Sequence, residues 1–157
     1  MIRLTKIITA LIIIGAVFCF SCSNVEKGQV LEIRDAVSGK VYGRWPLKEA
    51  EEFAIEFIHS VHQSPVKESF RIENGVFKLA SARFNSFGAG MQSDLEEGQR
   101  LIRDGDAFLI VGYDVSLKEL NYIVGTVSDH LLYVNNEILS LRDICGRNAH
   151  INIRIKR

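Results

Sequence analysis

The side chains able to do chemistry gather in one stretch, His59-Ser60-Val61-His62-Gln63-Ser64-Pro65-Val66-Lys67-Glu68. Two imidazoles and a carboxylate, from His59, His62 and Glu68, make a donor set for zinc or another divalent cation. Histidines three apart can share an ion in a loop or across a bend, whereas on a straight strand they face opposite ways. A second chemistry pairs Ser60 or Ser64 with His59 or His62 as base, the start of a hydrolase triad, which geometry rather than order defines. Against it, His59 and Ser60 diverge on a strand, and there is no Gly-x-Ser-x-Gly elbow. The third reading is architectural or ligand-binding. His59 braces the loop, Pro65 biases Ser64 toward extended backbone, and Glu68 accepts hydrogen bonds within it or from a small bound molecule. Glu68 shares a strand face with Val66, Phe70 and Ile72, where an unpaired carboxylate is costly. It needs a partner, and His59, Arg83 or a ligand are the candidates.

Other motifs carry less chemistry. Gly88 and Gly90, in Ser86-Phe87-Gly88-Ala89-Gly90-Met91, lack the spacing and following helix of a dinucleotide fingerprint. They read as a tight loop or a pocket rim. Asp94, Glu96 and Glu97 form a solvated face without an EF-hand pattern. Cys145, before Gly146, reads as a small core or turn residue, and a single cysteine in the body cannot close an internal disulfide. No cofactor is predicted apart from the divalent metal that His59, His62 and Glu68 could hold.

The elements that must position these residues have period two rather than 3.6. Strands are expected over residues 30–36, 41–45, 52–60, 66–72, 76–84, 101–103, 107–111, 122–126, 130–134, 137–141 and 151–156, some of them merging. Asn74-Gly75 and Asp104-Gly105 are hairpin signals, and Asn135-Asn136 is a further turn. In the last strand Ile151, Ile153 and Ile155 alternate with Asn152, Arg154 and Lys156, so its outer face is basic. Residues 117–120 suggest one helical turn, and no helix of normal length is visible in the body. About nine or ten short strands imply a single all-β domain over residues 25–157, a sandwich or a partly closed barrel.

A hydrophobic leader helix is expected before that domain. Sixteen of the first 22 residues are apolar, with Arg3 and Lys6 ahead of the run from Ile7 to Phe20. This order suits a signal peptide or membrane anchor. Ser21-Cys22 resembles the end of a lipoprotein signal, with Cys22 the lipidation candidate, although Cys19 stands where a leucine-like residue is usual. Each version places the body outside the cytoplasm, at the outer face of the cytoplasmic membrane or in the periplasm, with the leader or a lipid holding it to the membrane. The body has 17 basic against 19 acidic residues, which argues against nucleic acid as a partner.

His59-Ser60-Val61, Ser64-Pro65-Val66, Glu68 and Phe70, then Phe87 to Met91 and the strand from Glu137 to Leu141, resemble DUF1850, a bacterial and archaeal family of unknown function. The resemblance spans roughly residues 32–156 and rests on His59, Ser60, Ser64, Pro65, Glu68, Gly88 and Gly90. His62 is less securely part of the pattern. Members of that family are often encoded beside, or fused to, tripartite (TRAP-type) solute transporters. The resemblance thus implies a non-catalytic exported accessory protein near such a transporter. The alternatives are a small-molecule or metal-binding β module centred on residues 59–68, and a hydrolase.

Overall fold

A computed structural model describes residues 28–48, 51–61, 63–85 and 94–156. The expected leader helix and Cys22 lie outside these residues, as do His62, Gly88 and Gly90.

Among the described residues twelve strands form the fold: β1 (Gln29–Asp35), β2 (Val41–Leu47), β3 (Glu52–His59), β4 (Ser64–Glu73), β5 (Val76–Phe84), β6 (Arg100–Asp104), β7 (Ala107–Val111), β8 (Ser116–Leu117), β9 (Glu119–Ile123), β10 (His130–Val134), β11 (Glu137–Ser140) and β12 (His150–Lys156). A short helix, α1 (Leu141–Cys145), precedes β12. The smaller sheet runs β2-β1-β12-β9. The larger runs β11-β10-β3-β4-β5-β7-β6, with β8 also pairing with β5. All pairings are antiparallel.

Both sheets are open, so the architecture is a sandwich and the barrel alternative is corrected. The helical turn expected over residues 117–120 is also overturned. Leu117 pairs with Phe77 in the larger sheet, while Leu120 pairs with Ile153 in the smaller. The chain changes sheets between them, and two short strands in different sheets mimic a helical spacing. Conversely, Leu141 closes the α1 core contact rather than ending a strand. Ser140 caps that helix, accepting from the Asp143 N–H at 3.0 Å, a side-chain oxygen meeting an orphan donor of the first turn.

The alternation read from the sequence fixes which residues enter the core. Phe53 and Ile55 of β3, Phe70 and Ile72 of β4, and Phe77 of β5 are buried against Leu31 and Ile33 of β1, Leu120 of β9, and Ile151 and Ile153 of β12. Phe53 stacks on Phe70 at 5.5 Å and meets Phe77 edge-on at the same distance. A second apolar cluster of Val66, Phe84 and Ile110 lies on the larger sheet, flanked by Phe57, Phe108 and Tyr113. The Asn74-Gly75 turn has φ of 53° and 78°, as a type I′ hairpin demands. The turn between β6 and β7 centres on Gly105 and Asp106, one residue later than expected.

Candidate functional site

The β3–β4 hairpin carries the motif. Its connection is tight: the Gln63 N–H donates to the His59 carbonyl at 2.8 Å, and Gln63 Nε2 donates to the Ser60 carbonyl at 2.5 Å. Gln63 takes a φ of 50° to make the turn, and Val61 stands exposed at the tip. His59 pairs with Ser64 across the hairpin, Ile58 with Pro65, and Ile55 with Glu68. Directly paired residues share a face. His59, Ser64 and Glu68 therefore lie on the inner face with Phe57 and Val66, while Pro65 lies on the outer one and Ser60 in the exposed turn.

The register brings His59 and Ser64 together and separates both from Glu68. Four residues along β4 is about 13 Å. Glu68 is bound neither by His59 nor by Arg83. Arg83 pairs with Lys67 in the register and forms an ion pair with Asp104 at 2.9 Å. Tyr122 takes that place, donating its hydroxyl to Glu68 Oε2 at 2.7 Å from the opposite sheet. Among the described residues no group of three or more His, Cys, Asp and Glu side chains could hold a metal ion.

The Glu68–Tyr122 pair sits among rings. Phe57 lies 6.4 Å from Tyr122 and stacks on His130 at 5.5 Å, with only 16° between the planes. Tyr122 meets His130 edge-on at 6.1 Å. Burial, and then the charge and hydrogen bond of Glu68, push the Tyr122 phenol far above its ordinary pKa. Burial likewise raises Tyr113, with Glu68 and Glu96 adding to it. Glu68 is thus a half-buried carboxylate bonded to a phenol that is held in its neutral form. A cleft of about 410 Å³ opens beside it, lined by Glu68, Phe70, Leu79, Leu117, Leu120 and Tyr122 among others. It lies where β9, the free edge of the smaller sheet, crosses the inner face of β4 and β5.

The loop that positions His130 is closely built. The Gly125 N–H donates to His130 Nδ1 at 3.2 Å, so the ring's proton is placed on Nε2. Burial lowers the His130 pKa; Asp129 opposes this and Arg142 adds to it. Asp129 Oδ1 accepts from the N–H groups of His130 and Arg142 at 2.7 and 3.1 Å, and Oδ2 accepts from Ser140 Oγ at 2.5 Å. Arg142 also donates to the Val127 carbonyl at 2.9 Å. A second cleft, of about 360 Å³, separates this loop from the β3–β4 turn, with Ser60, Gln63, Val127 and His130 on its walls.

Sequence reasoning missed Tyr122 and Tyr113, and it named His130 only together with His150, as further histidines that could approach the proposed metal ligands in space. A signal for Tyr122 exists in the alternation of Leu120, Tyr122 and Val124, which turns the phenol inward. No signal names Glu68 as its partner, because the two residues lie 54 positions apart. His130 and His150 do not converge. His150 pairs with Ile123 on the smaller sheet, His130 with Phe57 on the larger. Cys145 is half-buried, packs against the main core, and has its thiol pushed up to about 11 by burial. It behaves as a core residue.

Fold and site together define a small two-sheet β-sandwich with a carboxylate–phenol pair bridging its sheets. Within that class, a family profile described as a domain of unknown function, DUF1850, matches residues 53–141. The chain belongs to this family. Comparison with curated proteins and with solved structures finds no match.

Proposed function

We propose that this chain is a non-catalytic accessory protein, exported and held at the outer face of the cytoplasmic membrane beside a TRAP-type solute transporter. The observation that carries this reading is family membership joined to a leader of sixteen apolar residues in 22. The polar clusters of the sandwich support the non-catalytic part. Glu68 is engaged by Tyr122, and Asp129 by backbone N–H groups and Ser140, so both act as braces within the fold. Co-purification of the full chain from gently solubilised membranes tests the reading. Transporter subunits are expected to accompany it, and recovery of the chain alone under conditions that keep the transporter intact would overturn it.

A second reading is favoured by one observation, the open cleft beside Glu68. A carboxylate and a phenol above apolar walls suit a small organic molecule bearing a hydroxyl or amine, with the rest of the molecule against Leu79, Leu117 and Leu120. Thermal shift of the full chain against amines, polyols and organic acids addresses this reading. A shift that Glu68→Gln abolishes supports it, and a flat response across the panel sinks it. The metal version, with His59, His62 and Glu68 as ligands, has against it the four strand positions, about 13 Å, between His59 and Glu68, and it fails outright if elemental analysis of the purified chain finds no stoichiometric metal.

A further inference from the structure

The outer face of the smaller sheet carries charge that the site does not use. On β1, Leu31 and Ile33 enter the core, so Glu32 and Arg34 point outward. The register sets Arg44 and Arg154 on either side of Glu32, with Asn152 beside Arg34. Arg44 reaches Glu32 Oε2 at 2.7 Å, and Arg154 reaches Oε1 at 2.6 Å. Lys156 Nζ lies 3.9 Å from Oε2. Glu32 is wholly buried beneath these three cations, which are themselves 35 to 53% exposed. Burial pushes its carboxyl up, but the hydrogen bonds and charges of Arg154 and Arg44 outweigh this and hold it below the usual range. The face is then tied crosswise. Arg34 Nε donates to Asn152 Oδ1 at 3.1 Å, and Asn152 Nδ2 donates to Asn121 Oδ1 at 2.9 Å.

Four cations, Arg34, Arg44, Arg154 and Lys156, thus meet two carboxylates, Glu32 and Glu119, on one sheet face, although the body as a whole carries more acidic than basic residues. The buried carboxylate orients the guanidiniums without cancelling them. The position of this patch matters as well as its sign. Lys156 pairs with Val30, the second residue of β1. The chain from the leader enters at that end, with only residues 23–27 between Cys22 and Gly28. Extended, the connection spans about 20 Å.

We propose that this basic face lies against anionic phospholipid headgroups, so that the sandwich rests on the membrane by its smaller sheet and turns the β3–β4 loop away. The inference rests on the tethering proposed above and adds an orientation to it. Arginines suit phosphate because their planar forks donate in pairs, and each cation near an anionic surface is worth about fivefold in binding.

The test uses the full chain in two sets of vesicles, one of phosphatidylcholine alone and one with one part in three phosphatidylglycerol. Amine labelling is followed at Lys156 and at Lys78, which lies on the larger sheet beside Asp114. Several-fold slower labelling of Lys156 in the anionic vesicles, with Lys78 unchanged, is expected. The protection should fade in high salt and be largely lost in Arg34→Gln, whose docking constant is expected to fall about fivefold. Equal labelling of Lys156 in both vesicles, with the chain retained in each, overturns the docking face while leaving the tether standing. A chain retained by neither overturns the tether and the docking face together. Protection seen in native membranes but in neither vesicle set overturns lipid in favour of an acidic protein.

Discussion

At the scale of residues, the physics turns on Glu68. A carboxylate in the row of Val66, Phe70 and Ile72 loses hydration on folding, and the Tyr122 hydroxyl replaces part of it at 2.7 Å. Tyr122→Phe deletes that donor and keeps the ring, so Phe57 and His130 retain their contact. The charge left behind is expected to cost about 1 to 3 kcal/mol, read as a lower urea midpoint at neutral pH. The pH dependence has a definite sign. The folded phenol is raised above the ordinary value of 10.0, so its contribution is fully present below pH 10 and declines as pH rises above it. Wild type should lose stability in alkali faster than Tyr122→Phe, and parallel alkaline limbs in the two proteins would refute the assignment.

At the scale of elements, hairpins and alternation were legible because their determinants are local. Asn74-Gly75 supplies two positive φ angles itself, and Phe53, Ile55 and Phe57 state their own face. What was hidden depends on partners distant in sequence. The span 117–120 looks helical because neither Ser116-Leu117 nor Leu120 reveals that it pairs with a different sheet. Helix α1 is five residues long and rests on its Ser140 cap and on Asp129, eleven residues upstream of that cap. Of the site, Glu68 was legible as a carboxylate needing a partner, and the partner was not. The Gly125–His130 loop illustrates the same limit. Nothing in Val124-Gly125-Thr126 announces why glycine is there, yet a Cβ on Gly125 would stand 2.1 Å from the Ser128 carbonyl oxygen. Gly125→Ala is therefore expected to cost about 1 to 3 kcal/mol as an overpacking defect and to loosen His130. Thermal unfolding checks the first effect, and the His130 titration by NMR checks the second, since a looser ring loses the burial that now depresses its pKa. Unchanged stability and titration would mean that the loop yields without strain.

At the scale of the whole molecule, the family match and the folding unit do not coincide. Residues 53–141 hold the larger sheet and β9, but β1, β2 and β12 of the smaller sheet lie outside them. Those three strands bring Leu31, Ile33, Leu47, Ile151 and Ile153 to the main core, every one at most 2% exposed. Without them the inner faces of β3, β4 and β5 lose their cover, and β9 loses β12, its pairing partner. Burying a large aliphatic side chain is worth about 1.5 to 3 kcal/mol, so five such losses exceed much of the net stability of a typical domain, about 5 to 15 kcal/mol. A fragment of residues 53–141 is accordingly expected to bind a hydrophobic dye and to unfold without a cooperative transition. A chain of residues 28–157 should unfold in one step and leave the dye unbound. Cooperative unfolding of the shorter fragment would place the core inside the larger sheet alone and reduce the smaller sheet to a cover. The β12 strand sharpens the comparison. It is central in the smaller sheet, between β1 and β9, so removing residues 150–157 from the longer chain should be nearly as damaging as removing both ends.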